Sequence, residues 1–382
     1  MNNKVAIERC PSYDAEEVYR ALKLAVELSG DLDVAGKKVL LKPNIVFDVQ
    51  SDKQVCTHPV FLEAAIRLVR EMGAKCILVG DSPGLQTAGF TAKNSGLGET
   101  AIKNGAEWVD FTKEKIDVPC PDGKVMKKFT VTKAAMDADI IISLPKLKTH
   151  QLVFFTGAIK NTFGIIPSIT KSALHVRFPK REAFSSMLVD LNLAVKHTYA
   201  LMDAIIGMEG PGPGSGDPRY IGIVMASSNL LAMDAAACAV IGYPPLAIPV
   251  SREALSRAYW LSSFDEIEYP GLLPSDVRIP DFVKIPIKKT GSQLLDFILL
   301  PPIRRLIESR AAGPEINNGV CIRCGDCMRI CASQAISLSG EGSERRLIID
   351  YRRCIRCFCC HEICRAKAID ISEHKPRNRS GG

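Results

Sequence analysis

Two short stretches of this 382-residue chain carry cysteines at a spacing made for metal. Residues 321–331 read CIRCGDCMRIC and, thirty-three positions later, residues 354–364 read CIRCFCCHEIC, each with the pattern C-x2-C-x2-C-x3-C. Thiolates are soft anionic donors, and this run is the spacing that holds a [4Fe–4S] cube. A lone C-x2-C would be open to zinc or to a redox dithiol. Eight cysteines in two superimposable runs leave little room for zinc, whose structural sites take four ligands from paired C-x2-C units. The repeat also outlasts the ligands: CASQAISL after the first run is echoed by CRAKAIDI after the second, so that Ala335 and Ile336 match Ala368 and Ile369. Two related halves that face one another are the expected arrangement.

The runs resemble those of bacterial two-cluster ferredoxins, in which the fourth cysteine of each run crosses over to the other cube. The resemblance implies two [4Fe–4S] clusters, one on Cys321, Cys324, Cys327 and Cys364, the other on Cys354, Cys357, Cys360 and Cys331. The chain departs from that pattern in one respect: the proline that usually follows the fourth cysteine is Ala332 in one copy and Arg365 in the other. An amide in place of an imide offers a further N–H to a sulfur, which would shift the reduction potential. Cys359, beside Cys360, is a surplus thiol, either a small packed residue or a group with a ligand or redox role.

The positive charge of the chain is concentrated in the same region. Of the formal +7, residues 301–382 hold fifteen Lys and Arg against nine Asp and Glu. An oxidised cube on four thiolates carries a net charge of about −2, so two would cancel much of this surplus. Counter-charge for the clusters, together with solubility, accounts for the arginines better than nucleic-acid binding does. An electrostatic dock for an acidic electron donor is the alternative. The last stretch, HKPRNRSGG, reads as a frayed tail over 374–382.

The rest of the chain has the composition of an ordinary globular protein, 47% hydrophobic and 24% charged. No secretory signal pattern opens it, and no apolar run reaches the roughly 18–20 residues that span a bilayer. LLDFILL at 294–300, closed by Pro301 and Pro302, reads as a docking segment between domains. Fourteen cysteines point to a reducing cytoplasm, and the oxygen sensitivity of cubes to an anaerobic setting.

Apolar strand patterns at 5–10, 37–46, 75–84 and 137–144 alternate with helical spacings at 16–30 and 59–73, and further helix and strand patterns follow as far as residue 245. This predicts an α/β fold, a mostly parallel sheet flanked by helices, with a small C-terminal α+β two-cluster ferredoxin-like domain. The expected division is an α/β domain over 1–290, a linker or docking segment over 291–312, the cluster domain over 313–373 and the tail.

Open parallel sheets bind ligands beyond the carboxyl edges of their strands. Three such ends carry polar groups: Lys42, Pro43, Asn44; Asp81, Ser82, Pro83, Gly84; and Lys146, Lys148, Thr149, His150, read as a cationic loop. A further segment, TGAIKNTFGIIP, places Lys160 and Asn161 among apolar residues, followed by Lys171 and His175. Cations in apolar surroundings need a negative partner. The partner is either an anionic ligand or one of Asp81, Asp190, Asp203 and Asp234. GMEGPGPGSGDP (207–218) is a lid carrying Glu209, or a plain surface loop. No G-x-G-x-x-G follows a strand and no P-loop is present. His58 beside Pro59 reads as structural and His197 as a surface residue, leaving His150 and His175 as candidate acids or bases.

LLKPNIV, VGDSPG, ISLPKLKTH, TGAIKNTFG, MDAIIGMEG and MDAAACAVIG resemble the domain-of-unknown-function family numbered 362, over roughly residues 4–260. Members of that family are often fused to a two-cluster ferredoxin module. The resemblance implies that Lys42, Asn44, Asp81, Lys146, Lys148, His150, Lys160, Asn161, His175, Asp203 and Glu209 fall within family strings. A shorter likeness, in the order KTH…GAIKN…H, is to nickel-pincer lactate racemases, and it carries no residues over.

Two functions are consistent with these features. One is a reductase that takes electrons from a ferredoxin-like or reductase partner and delivers them to an anionic substrate, or to a flavin-like cofactor. In it His150 or His175 supplies protons, Lys146, Lys148 and Lys160 stabilise negative charge, and Lys42, Asn44, Asp81, Ser82, Asn161 and Glu209 hold the ligand. The other is an electron carrier or maturation protein that docks on a partner enzyme. An isomerase or racemase with regulatory clusters is a third.

Overall fold

The computed structural model describes residues 2–86, 88–195, 198–287, 312–342 and 345–373. His197, the apolar run at 294–300 and the tail lie outside them. The chain divides into two compact units, Met1–Ile285 and Pro286–Gly382.

In chain order the first unit runs β1 (Ala6–Arg9), α1 (Ala15–Ser29), β2 (Lys38–Pro43), α2 (Pro59–Glu71), β3 (Cys76–Val79), α3 (Leu97–Lys103), β4 (Glu107–Trp108), β5 (Lys115–Pro119), β6 (Lys128–Thr132), α4 (Lys133–Asp137), β7 (Ile140–Leu144), β8 (Lys146–His150), β9 (Phe154–Thr156), α5 (Ala158–Asn161), α6 (Ser168–Arg177), α7 (Arg181–Ala194), β10 (Thr198–Glu209), β11 (Asp217–Ser227), α8 (Leu230–Val240) and α9 (Pro249–Ser256). The main sheet has the order β1-β11-β10-β7-β2-β3-β4, with β8 and β9 joined through β10. Its centre is parallel: β10 with β7, β7 with β2, β2 with β3 and β3 with β4. Within this sheet antiparallel pairing joins β1–β11, β10–β11 and β8–β9, and β5 and β6 pair antiparallel in a separate two-stranded sheet. The central strands are buried on both faces, as their unbroken apolar runs require.

Helix entry follows from local chemistry. Asp14 caps α1 by accepting from the amides of Glu16 and Glu17. At α2 the cap is His58, whose ring accepts from Val60 N, with Pro59 in the first turn. Thr57 has a different role: its hydroxyl donates to Leu144 O at 2.7 Å and accepts from Asn44 N at 2.8 Å. It thereby ties the end of β7 to the end of β2.

Lys146–His150, expected from the sequence to be a cationic loop, is not a loop. The segment is strand β8, buried throughout, and runs parallel to β10 and antiparallel to β9. Pro145 cannot donate to a ladder and ends β7. Beyond it the chain re-enters the sheet against β10, where Asp203 N donates to Pro145 O at 2.9 Å.

In the second unit, β12 (Ala312–Ile316) pairs with β15 (Ile369–Glu373) and β13 (Ile336–Ser339) with β14 (Arg346–Ile349), with helices α10 (Asp326–Ile330) and α11 (Cys359–Glu362) between them. The repeat in the sequence is a repeat in the backbone. Positive φ occurs at Arg323 and Arg356, at Gly325 and Phe358, and at Gln334 and Lys367. Reciprocal bonds join the halves: Asn317 N donates to Ala368 O at 2.8 Å, and Asp350 N to Ala335 O at 2.7 Å.

Candidate functional site

Where β2, β3 and β7 end side by side, their polar residues gather into one buried knot. Lys42 Nζ lies 2.8 Å from Asp81 Oδ1, both side chains sealed from water. The same ammonium donates to Pro43 O at 2.9 Å and to Asn161 Oδ1 at 3.2 Å. Asn44 Nδ2 donates to that Asn161 oxygen at 3.0 Å, while Asn161 Nδ2 donates to Ser143 Oγ and to Lys42 O. Asp81 is held by the amides of Ile45 and Ser82 as well. Burial pulls the Lys42 ammonium below the usual lysine range, and Asp81 opposes that pull. Gly164 packs directly on the pair: a Cβ there would overlap Asp81 Oδ1 and Lys42 Nζ.

A second lysine enters from α6. Lys171 Nζ donates to Ser82 O and is pushed down to about 7, chiefly by burial. Two buried oxygens of the knot, Asn44 Oδ1 and Ser82 Oγ, have no hydrogen-bond partner. Close by, His175 stacks on Phe184 at 4.6 Å and meets the edge of Phe163. Burial, then Lys160 and Lys171, push its imidazole down to about 3. Its Nδ1 is buried without a partner. A neutral ring sealed between aromatics accepts a proton only at strongly acidic pH.

Lys146 belongs to a different network. Its Nζ contacts Asp203 Oδ2 at 2.9 Å, Gln54 Oε1 at 2.9 Å and Tyr13 OH at 2.6 Å, with Tyr13 OH donating to Asp203 Oδ1 at 2.8 Å. Tyr13 stacks on His58 at 3.7 Å. Neither Tyr13 nor Gln54 carries a sequence signal for this role, because both come from irregular segments. Lys148 Nζ donates to Val55 O at 2.6 Å. His150 is buried, and its Nδ1 accepts from the amides of Leu152 and Val153. Glu209 stands apart, accepting from Val283 N at 2.8 Å and facing Arg219. The structure thus brings Lys42, Asn44, Asp81, Ser82 and Asn161 together, adds Lys171 to them, and distributes Lys146, Lys148, His150 and Glu209 elsewhere.

In the second unit the eight cysteines separate into two sets. Cys321, Cys324, Cys327 and Cys364 line one small cavity, and Cys331, Cys354, Cys357 and Cys360 line another. Among the described residues no three His, Cys, Asp or Glu side chains gather to hold a single metal ion; each set rings a cavity. Backbone amides already point at the sulfurs, with Arg323 N on Cys321, Ala335 N on Cys331 and Ala368 N on Cys364 at 3.4, 3.2 and 3.2 Å. Four thiols with amide donors are the chemistry that iron–sulfur cubes require. Cys359 lines the second cavity. Its hydrogen bond with Cys357 holds that thiol below the usual cysteine range and raises its own.

An α/β domain with a polar knot at its strand ends, joined to a twofold cysteine module, defines an iron–sulfur protein of the ferredoxin-fused type. Residues 320–368 match the 4Fe–4S dicluster domain, so an iron–sulfur electron-transfer role follows. Residues 39–239 match the family described as Domain of unknown function (DUF362), and the chain belongs to that family. The thylakoid-associated protein sll1697 of Synechocystis sp. is 32% identical over 290 residues, covering 75% of this chain and 88% of its own length. Among solved structures, the lactate racemase apoprotein from Thermoanaerobacterium thermosaccharolyticum has a TM-score of 0.37 at 16% identity, over 60% of this chain and 55% of that one. A protein from Thermotoga maritima gives 0.36 at 16% identity, over 66% and 60%. Among the described residues no helix is long and apolar enough to cross a membrane.

Proposed function

We propose that this protein is an iron–sulfur reductase. The clusters would be two [4Fe–4S] cubes, one on Cys321, Cys324, Cys327 and Cys364 and the other on Cys331, Cys354, Cys357 and Cys360, and when bound they supply single electrons. The substrate is a small anion held at the strand ends of the α/β domain. The observation that carries this reading is the composition of the buried knot. Lys42 is paired with Asp81, Lys171 bonds to Ser82 O and feels Asp81 only through space, and Asn44 Oδ1 and Ser82 Oγ are left unpartnered. A buried surplus of cations favours an anion, and an unpartnered amide oxygen favours a ligand that also offers a hydroxyl or N–H.

Each residue then has a role. Lys42, fixed by Asp81 and Asn161, is a rigid positive anchor. Lys171 near neutrality holds or releases a proton at Nζ, and an arriving anion keeps it protonated. Asn44 and Ser82 orient the ligand. A reducing, cytoplasmic and anaerobic setting is part of this reading, from the cysteine-rich composition.

The second reading, a carrier or maturation protein without its own substrate, is favoured by a different observation. Lys42 and Lys146 are already neutralised inside the protein by Asp81 and Asp203. One experiment separates the two. Anaerobically reconstituted protein is reduced and offered small anions, and its reoxidation is compared with that of Lys171→Ala and Lys42→Met, using the electron spin resonance of the clusters as control. The reductase reading requires anion-dependent reoxidation that both variants lose while the cluster signals stay intact. Anion-independent reoxidation in all three proteins supports the carrier. A bound flavin would announce itself in the visible spectrum of the wild type.

A further inference from the structure

The two halves of the cluster unit correspond residue for residue, yet their outer edges differ. Ile322, Arg323 and Cys324 of the first run are exposed, whereas their counterparts Ile355, Arg356 and Cys357 are half-buried, and Arg356 Nε is buried without a partner. The open edge is unusually apolar for surface. Ile322 is 67% exposed and Val320 51%, with Met328 at 37% in the same stretch. Ile322, Cys324 and Asp326 line the same cysteine cavity, together with Ala366. Around them the charge is one-sided: Arg329 and Arg365 share the single carboxylate of Asp326, and Arg323 adds a third guanidinium.

An apolar centre with a charged rim is the anatomy of a protein interface, and arginine is enriched there. Electron-transfer encounters are small and steered by charge. We propose that the face formed by Val320, Ile322, Arg323, Met328, Arg329 and Arg365 is the port at which an acidic one-electron carrier protein docks. The choice of occupant follows from charge. Three guanidiniums against one carboxylate repel a second copy of the same face, which a twofold dimer would bring against itself, and they attract an acidic partner. The carrier gives up one electron and this module accepts it; no bond is made or broken and no proton moves. The inference rests on the iron–sulfur reading and names the edge and the kind of partner.

The test uses the full chain, anaerobic and cluster-loaded, with a reduced acidic [2Fe–2S] ferredoxin as probe. Its dissociation constant is measured at low and high salt for the wild type and for Ile322→Asp, Arg323→Glu and, on the other half, Arg352→Glu. Iron content and spin-resonance signals are read for each protein. The port predicts salt-weakened binding, at least ten-fold weaker in Ile322→Asp and Arg323→Glu and unchanged in Arg352→Glu, with clusters intact throughout. Unchanged affinity in the first two variants, or equal losses in all three, overturns it. So does a self-association that Ile322→Asp abolishes, or preference for phosphatidylglycerol vesicles over the carrier. Wild-type protein that takes up no iron overturns the underlying reading instead, leaving a separable result.

Discussion

Lys42 and Asp81 stand at the ends of neighbouring parallel strands and form an ion pair at 2.8 Å that water does not reach. Burying the two charges is repaid only while both are present. Lys42→Met should therefore cost about 3–5 kcal/mol, whereas Lys42→Met combined with Asp81→Leu should recover much of it. Denaturant unfolding of the two variants checks this. Equal losses would mean that the pair is not what holds these strand ends together.

Gly164 is the cover of that pair. With a methyl group there, Asp81 and Lys42 must move, since the Cβ would overlap both. Gly164→Ala should destabilise by about 1–3 kcal/mol, as overpacking does, and on the reductase proposal it should abolish anion binding at the knot even where the fold survives. Thermal melts and calorimetric titration give the two readouts.

Lys171 sets a stability slope above neutrality. Its ammonium is pushed down from 10.5 to about 7, so between these values the unfolded chain binds a proton that the folded chain does not. Stability contributed at this site rises with pH through that window and is lowest below pH 7. Lys171→Met should raise the melting temperature at neutral pH, with the gain shrinking toward pH 10. A pH-independent difference would refute the assignment.

His175 acts on the acid side. Its pKa falls from 6.5 to about 3, so the unfolded chain is the one that takes up a proton between those values, and stability is lost as the pH falls. His175→Phe, which keeps an aromatic body against Phe184, should flatten this acid limb while leaving stability near pH 8 little changed. Urea midpoints across pH 4–8 would measure it.

The crossed cysteine sets predict how iron is lost. Cys364→Ser should disturb the cluster of the first run and Cys331→Ser that of the second, each dropping iron from about eight to about four atoms per chain. The spin-resonance signal that remains should differ between the two variants. If Cys364→Ser removed the same signal as Cys354→Ser, the crossing would be wrong.

The cluster module was legible in the sequence because its chemistry is local. Spacing fixes which thiols lie near each other within a run, and the 33-residue echo reappears as paired positive-φ positions and reciprocal amide bonds. The alternation of apolar strands and helices was readable for the same reason, since periodicity is a property of neighbours in the chain. Lys42, Asn44, Asp81 and Ser82 stand out in the sequence as polar residues at strand ends, and Asn161 as a polar residue in a separate apolar segment; the sequence does not say that they meet.

Only the tertiary structure decided what each of them meets. It paired Lys42 with Asp81 and Lys146 with Asp203, brought Tyr13 and Gln54 to Lys146, and moved Glu209 away to Val283. It also made a buried strand of Lys146–His150, although charged residues favour a loop. Such a strand is tolerable only when distant groups neutralise it. Charge compensation acts through space and not along the chain, and no spacing rule in the sequence records it.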